Sequence, residues 1–266
     1  MDVFKAVILG VVQGFAEFLP ISSSGHLVLL QKIFGLEENM MAFDIVLHLG
    51  SLTAVFVAFW AEIAEILRRP LQKMTALLIV ATVPAVIAAL CFQHQIEALF
   101  AGSLFLAISF IITGLLLFYS DSFHSGQKQD EDIGWMDAIC IGCLQAIAIP
   151  PGISRSGCTI TGALARGLDR RAAARFSFLL SIPAILGAAV FTFKDVLTGS
   201  GLSGVMSSMG ALPLLFGFTA AALSGYLSIR FMLTLIQKAK LRVFAYYVFA
   251  LAFLILLDRF ALGLFF

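Results

Sequence analysis

Two short polar segments interrupt long apolar stretches of this sequence. The first reads Glu17-Phe-Leu-Pro-Ile-Ser-Ser-Ser-Gly-His26, and the second reads Pro150-Pro-Gly-Ile-Ser-Arg155-Ser-Gly157. Polar and charged side chains within apolar segments of this length are energetically costly inside a membrane, so they are candidates for function. A carboxylate, hydroxyls, an imidazole and a guanidinium are together the groups that phosphoryl transfer requires.

Each segment places serines where a new helix is predicted to begin. The free N–H groups and the positive end of the dipole at a helix start favour an anion, phosphate in particular. Arg155 adds a planar, permanently charged fork that suits phosphate oxygens. The predicted phosphate-binding residues are Ser22, Ser24, Gly25, Ser154, Ser156 and Arg155.

The remaining polar residues of the first segment are predicted to act in catalysis. His26 is within reach of the serines and could be a nucleophile or a general base, and Ser23 is the competing nucleophile. Glu17 could hold a divalent cation or orient His26, and Gln13 lies four residues earlier on the same helix face. The predicted catalytic set is Glu17, Ser23, His26 and Arg155, and the predicted metal ligands are Glu17 and Gln13.

Structural interpretations of these residues stay open at this point. Serines that follow a proline are ordinary helix caps, and a lone intramembrane glutamate can be a packing residue. Arg155 could simply neutralise Glu17. That alternative does not explain why hydroxyls line both segments or why His26 stands one turn beyond Ser22.

Two further polar residues are secondary candidates. Asp44 and His48 lie four apart on one face of an apolar segment, where they could line the same site or form a helix–helix hydrogen bond. Cys140 and Cys143 form a C-x-x-C without a second metal-binding pair, so we interpret them as small apolar residues of a helix.

Composition places these residues in a membrane protein. The chain of 266 residues is 61% hydrophobic and only 12% charged, and its net charge of +1 gives no reason to expect a nucleic-acid partner. The N-terminal apolar run lacks a small-residue cleavage site, so it is expected to belong to the mature protein. Six segments are long enough to span a bilayer, near 42–60, 74–92, 101–119, 174–193, 211–229 and 243–260.

The distribution of basic residues predicts the topology. The loops after 60, 119, 165 and 229 hold twelve of the seventeen Lys and Arg residues and are predicted to be cytoplasmic. The stretch 136–165 must then enter and leave on the inner side. A hairpin of two full spans needs about 40 residues, so 136–165 is predicted to be re-entrant. The same reasoning makes 3–34 re-entrant from the outer side and places both termini outside.

The two segments also align with each other without gaps. Residues 13–26 match 145–158 at an offset of 132, with Gln, Ile, two Ser and Gly in common. Each half therefore has one re-entrant loop and three spans, and an odd number of spans inverts the second half. The predicted fold is an all-α polytopic membrane protein, an inverted repeat of residues 1–125 and 126–266 whose loop tips meet near the midplane.

The motifs resemble those of the undecaprenyl-diphosphate phosphatases, also called bacitracin-resistance proteins. The matching residues are Gln13-x-x-x-Glu17, Pro20-Ile-Ser-Ser-Ser-Gly-His26 and Pro151-Gly-Ile-Ser-Arg-Ser-Gly157, and the resemblance covers nearly the whole chain. It implies hydrolysis of undecaprenyl diphosphate to the monophosphate carrier lipid and phosphate, for peptidoglycan synthesis. It also implies a divalent cation, Mg²⁺ or Ca²⁺, and a site on the outer side of a bacterial inner membrane.

Carried over by position, the resemblance assigns the acidic motif to Gln13 and Glu17, the serine–histidine motif to Ser22–His26, and the phosphate-binding arginine to Arg155. Gln13 stands where the family often has Glu, so Glu17 is the one carboxylate of its motif. A lipid flippase or transporter is the alternative function, because inverted repeats with broken helices also occur in transporters. The expected partners are a prenyl diphosphate lipid, the bilayer and a second copy in a homodimer.

Overall fold

The computed structural model of this protein is predominantly helical in the residues that it describes. These are residues 1–36, 40–92, 95, 102–123, 126–198, 209–238 and 240–266, with side chains not described for 191–198. One isolated bridge between Lys128 and Leu168 is the only β-type pairing within those ranges. The helices are α1 (Val3–Phe18), α2 (Ser23–Ile33), α3 (Met41–Ala58), α4 (Trp60–Arg68), α5 (Lys73–Cys91), α6 (Ser103–Ser120), α7 (Trp135–Ile147), α8 (Arg155–Ala165), α9 (Arg170–Thr198), α10 (Ala211–Lys238) and α11 (Arg242–Leu257).

Among the described residues, six helices are long and apolar enough to cross a membrane, in agreement with the predicted number and order of spans. They are Met41–Ala58, Lys73–Cys91, Ser103–Ser120, Arg170–Val190, Ala211–Lys238 and Arg242–Leu262. Each agrees with its predicted segment in position, although residue 101, the predicted start of the third, lies outside the described residues. Many of their large apolar side chains are exposed, as expected for helices that face lipid. The chain is a multi-pass membrane protein.

The two broken stretches form pairs of short helices. At a rise of about 1.5 Å per residue, the 16 and 11 residues of α1 and α2 are too short to cross a core of about 30 Å, and so are the 13 and 11 residues of α7 and α8. This is the geometry that re-entry would require, while the membrane position of the two loops stays a prediction.

The helix contacts are reciprocal between the halves. Helix α1 of the first half packs on α10 of the second, and α7 of the second half packs on α5 of the first. Likewise α3 packs on α10 and α9 packs on α5. An inverted repeat would produce such an exchange of partners. The repeat and the boundary between 125 and 126 remain predictions.

Small residues allow α1 to approach α10 closely. A side chain at Gly10 or Gly14 would collide with the backbone at Gly217 and Ala221 of α10. Serines of α10 complete the contact, since the hydroxyl of Ser228 donates to the carbonyl of Phe15 at 2.9 Å. Close packing of this kind and interhelical hydrogen bonds hold membrane helices together where lipid removes the hydrophobic drive between them.

Candidate active site

The first loop tip is built by the break between α1 and α2. Helix α1 ends at Phe18 and α2 starts at Ser23, with Ser22 as its N-cap. The Ser22 hydroxyl accepts a hydrogen bond from the Gly25 N–H at 3.3 Å. Its φ of 71° makes Ser22 the one non-glycine residue with a left-handed backbone in the described part of the chain. Such a conformation is disfavoured, so the surrounding packing must hold it.

The second loop tip repeats this cap. Ser154 is the N-cap of α8, and its hydroxyl accepts from the Gly157 N–H at 3.0 Å. Thr113 of α6 fixes the tip from the side, because its hydroxyl donates to the Gly152 carbonyl and accepts from the Ser154 N–H, both at 3.0 Å. Gly152 has a φ of 87°, and a side chain there would lie 2.7 Å from Ser109, so only glycine fits.

The two tips touch each other. A side chain at Gly25 would lie 2.9 Å from the Cα of Gly152, and the Ser156 hydroxyl donates to the Leu19 carbonyl at 3.0 Å. The sequence predicted that the tips meet, and the structure brings them into contact. The helix starts of α2 and α8 therefore lie beside one another.

Glu17 is the centre of the polar contacts between the tips. Its Oε1 accepts from Nη2 of Arg155 at 2.7 Å, across 138 residues of sequence. Its Oε2 accepts from the Ser23 hydroxyl at 2.6 Å and from the Gln13 amide at 3.0 Å. Nε2 of His48 lies 3.7 Å from the same oxygen. The carboxylate is buried, with 6% of the side chain exposed, so these partners replace the water that it lacks.

Arg155 is held at both ends of its guanidinium. Besides Glu17, it donates from Nη1 to the Ser177 carbonyl of α9 at 3.2 Å. An arginine has five N–H donors, so donors remain for an anion in the cavity. Arg155 does neutralise Glu17, as the structural interpretation held. It also lines the cavity described below, a position that a purely internal ion pair does not require.

His26 points away from Glu17. Its Nδ1 donates to the Ser22 carbonyl at 2.7 Å, so its Nε2 accepts from the Tyr247 hydroxyl at 2.8 Å. Its ring stacks on Tyr247 and meets Phe110 edge-on. Both ring nitrogens are therefore engaged, and His26 is not among the residues that line the cavity. No pattern in the sequence singles out Tyr247, which lies 221 residues away.

A cavity of about 710 Å³ opens at the tips. Most of the predicted polar residues line it, whereas Gln13, Gly25 and His26 do not. Those in the wall are Glu17, Ser22, Ser23, Ser24, Ser154, Arg155, Ser156, Asp44 and His48. Its size is in the range of small-molecule pockets. The predicted phosphate-binding side chains thus converge on one space.

Asp44 and His48 belong to this cavity. Oδ1 of Asp44 accepts from the Gln31 amide at 2.7 Å, and Nδ1 of His48 donates to the Asp44 carbonyl at 2.6 Å. The His48 ring nitrogen that remains faces Glu17. Gln31 lies in the last turn of α2 and was not singled out from the sequence, since its link to Asp44 of α3 appears only in the folded structure.

A divalent cation would find few protein ligands here. In the described residues no three His, Cys, Asp or Glu side chains gather as a metal site. Glu17 lines the cavity, and its two oxygens already accept hydrogen bonds from Arg155, Ser23 and Gln13. Oε1 of Gln13 is buried without a hydrogen-bond partner among the described residues, but Gln13 does not line the cavity. A Mg²⁺ ion here would therefore take most of its ligands from phosphates and water.

Comparison with known proteins identifies the family of the chain. Residues 6–254 match the family model described as bacitracin resistance protein BacA. A protein of Carboxydothermus hydrogenoformans named undecaprenyl-diphosphatase is 50% identical over 257 residues, covering 96% of this chain and 97% of the relative. Undecaprenyl-diphosphatase of Methanobrevibacter smithii is 42% identical over 268 residues, covering 93% and 94%, and undecaprenyl-diphosphatase 3 of Bacillus cereus ATCC 14579 is 42% identical over 260 residues, covering 98% of each. The chain belongs to the BacA family of bacitracin resistance proteins.

Proposed function

We propose that this protein hydrolyses undecaprenyl diphosphate to undecaprenyl phosphate and inorganic phosphate. The observation that carries the proposal is the joining of Ser23, Glu17 and Arg155 at the wall of one cavity, with hydrogen bonds of 2.6 and 2.7 Å to the carboxylate. A hydroxyl paired with a base and a guanidinium is the arrangement of an activated nucleophile beside a phosphate-binding group. The relatives named above carry the name of this activity.

Ser23 is the nucleophile in this proposal. Its oxygen attacks the terminal phosphorus, and its proton passes to Glu17. The bond from that phosphorus to the bridging oxygen breaks, and the lipid monophosphate leaves. Water then attacks the phosphoserine, the bond from phosphorus to Oγ breaks, and the proton on Glu17 returns to Ser23. His26, bound to Ser22 and Tyr247, shapes the first loop tip instead.

The other groups bind and orient the diphosphate. Arg155 and the N–H groups at the starts of α2 and α8 neutralise and position its oxygens. A Mg²⁺ or Ca²⁺ ion would be held by Glu17, water and substrate oxygens, and it would neutralise charge on the diphosphate. Metal titration of the purified protein identifies which divalent cation binds.

The setting of the reaction follows from the same reasoning. A site between membrane helices takes a substrate that arrives from the lipid phase, here on the outer side of a bacterial inner membrane. Recycling of the carrier lipid would serve peptidoglycan synthesis and give bacitracin resistance.

The transporter alternative is not supported, since the relatives are named as phosphatases. A homodimer and the outward position of the termini remain predictions.

Trapping of the intermediate tests the proposal. The purified protein in lipid nanodiscs is given a prenyl diphosphate labelled with ³²P at the terminal phosphate, together with Mg²⁺, and is quenched within the first turnover. We expect an acid-stable label on the peptide that contains Ser23, and no label in Ser23→Ala. An acid-labile label on His26 would assign the nucleophile to the histidine. Absence of phosphate release by the wild-type protein would refute the function.

A further inference from the structure

The cavity continues beyond the loop tips between two membrane helices. Helix α5 contributes Thr82, Ala85, Val86 and Ala89 to its wall. The spacing of three, four and seven residues puts them on one face of the helix. They extend along α5 for about 10 Å. With the exception of Val86 these are small residues, and they leave room beside the polar tips.

Helix α9 forms the facing wall with residues of the same kind. Pro183, Ala184, Gly187 and Ala188 line the cavity. A Cβ added at Gly187 would meet no atom within 4 Å. The space beside Gly187 is therefore open, in contrast to Gly10 and Gly14, where packed backbone fills it.

A buried polar group also lines the cavity. Gln145 of α7 lines the cavity with only 3% of its surface exposed, and its amide donates weakly to the Ala81 carbonyl at 3.4 Å. Its Oε1 has no hydrogen-bond partner in the described residues. An unpaired buried acceptor costs free energy unless a water or a ligand supplies a donor. The Gln145 oxygen is therefore suited to a water molecule, because neither a diphosphate nor a prenyl chain supplies a donor.

We infer that the walls of α5 and α9 form a subsite for the first isoprene units of the prenyl chain whose diphosphate lies at the loop tips. This inference rests on the proposed function. Both walls belong to membrane spans, and an apolar chain gains free energy by filling an apolar space that continues from its own head group. A cavity of 710 Å³ holds a molecule of drug size, so the diphosphate and the proximal units fill it while the distal chain lies in the bilayer. Gly187 sets the width of the subsite.

Gly187→Leu tests this assignment because it fills open space without a clash. Leucine also favours a helix more than glycine does, so the variant is expected to fold. The matched control is Val190→Phe, which adds bulk to α9 at a residue that is 69% exposed and does not line the cavity. Ala85→Leu narrows the subsite from the opposite wall as a second variant. Each protein is assayed in nanodiscs with farnesyl diphosphate and with methyl diphosphate, which has no chain.

The measured quantity is the ratio of kcat/KM for farnesyl diphosphate to kcat/KM for methyl diphosphate. We expect Gly187→Leu and Ala85→Leu to lower this ratio by about tenfold or more, since a misfit of one methylene already costs about tenfold. Val190→Phe is expected to leave the ratio within about twofold of the wild type. An unchanged ratio in both subsite variants would overturn the inference and leave the phosphatase function standing. Absence of phosphate release from either substrate by the wild-type protein would refute the function itself.

Discussion

Ser22 and Ser154 cap α2 and α8 through the same contact, each accepting from the N–H of a glycine three residues later. The two tips nevertheless carry different groups. The first supplies Glu17 and Ser23, and the second supplies Arg155. The same capping contact thus appears twice, and the side chains around it form complementary halves of one site.

Neither loop tip forms an active site on its own. The first tip alone would bury a carboxylate without its cation, and the second would leave a guanidinium without its anion, which is costly in either case. The shortest contacts of Glu17 include one to each tip, 2.6 Å to Ser23 and 2.7 Å to Arg155. Assembly of the two halves and formation of the site are therefore one event.

The largest effect is expected at the first tip. Glu17→Gln keeps the shape and removes the proton acceptor for Ser23, so we expect kcat to fall by about 10²- to 10⁴-fold. The fall in kcat is measured as phosphate release from a prenyl diphosphate by the purified variant. Glu65→Gln, a change at an exposed residue of α4, is the matched control. Retention of more than a tenth of the activity by Glu17→Gln would show that Glu17 is not the base.

At the second tip, catalysis is expected to depend on the forked shape of the Arg155 guanidinium and not only on its charge. Arg155→Lys keeps the charge but loses the fork that binds Glu17 and the Ser177 carbonyl together. We expect kcat/KM to fall by about 10²- to 10³-fold. Arg230→Lys on the exposed face of α10 serves as the control. Near-normal activity of Arg155→Lys would reduce the role of Arg155 to charge neutralisation.

A carboxylate away from the tips provides the contrast to Glu17. Asp121, at the end of α6, forms ion pairs with Arg170 and Arg242 and accepts from the Leu241 and Arg242 N–H groups. We expect Asp121→Asn to lower stability by about 1–3 kcal/mol, with kcat changed less than twofold. Thermal unfolding and phosphate release are measured on the same sample. A loss of kcat equal to that of Glu17→Gln would contradict a purely structural role.

The stability that Asp121 contributes to the folded protein depends on pH in a defined direction. Burial raises the pKa of Asp121, but hydrogen bonds from the Arg242 N–H, Arg170 and the Leu241 N–H outweigh it and hold the pKa below 3.8. A carboxyl whose pKa is lower in the folded state stabilises the protein above its unfolded pKa. That stability is lost as the pH falls through the folded value. The difference in Tm between the wild type and Asp121→Asn should therefore shrink below pH 4.

The smallest effects should separate the two caps. Ser22→Gly relieves the positive φ of 71°, so we expect it to be neutral or stabilising despite the lost cap. Ser154 has an ordinary φ of −75°, so Ser154→Gly should cost a few tenths of a kcal/mol through the lost cap. Thermal unfolding of the two variants measures the difference. Equal destabilisation by both would mean that Ser22 is not strained.

Much of this architecture was predictable because lipid restricts the options. Runs of about 20 apolar residues must become spanning helices, so six spans followed from hydropathy. The contact between the loop tips followed from the gapless match of residues 13–26 with 145–158. The surroundings of His26 could not be predicted, because Tyr247 lies 221 residues away and nothing in the local sequence links the two residues. Gln31 escaped notice for the same reason.

The sequence by itself determined the residue types of the site and the helix starts that present them, since proline, glycine and serine act through local backbone geometry. The tertiary structure decided which of them work together. Ser23 and His26 stand three residues apart on α2, a spacing that puts them near the same helix face and does not decide which of them reaches the cavity. Tyr247 and Phe110 hold the ring of His26, whereas Ser23 donates to Glu17 at the cavity wall. That choice depends on side chains more than 80 residues away, which no local pattern records.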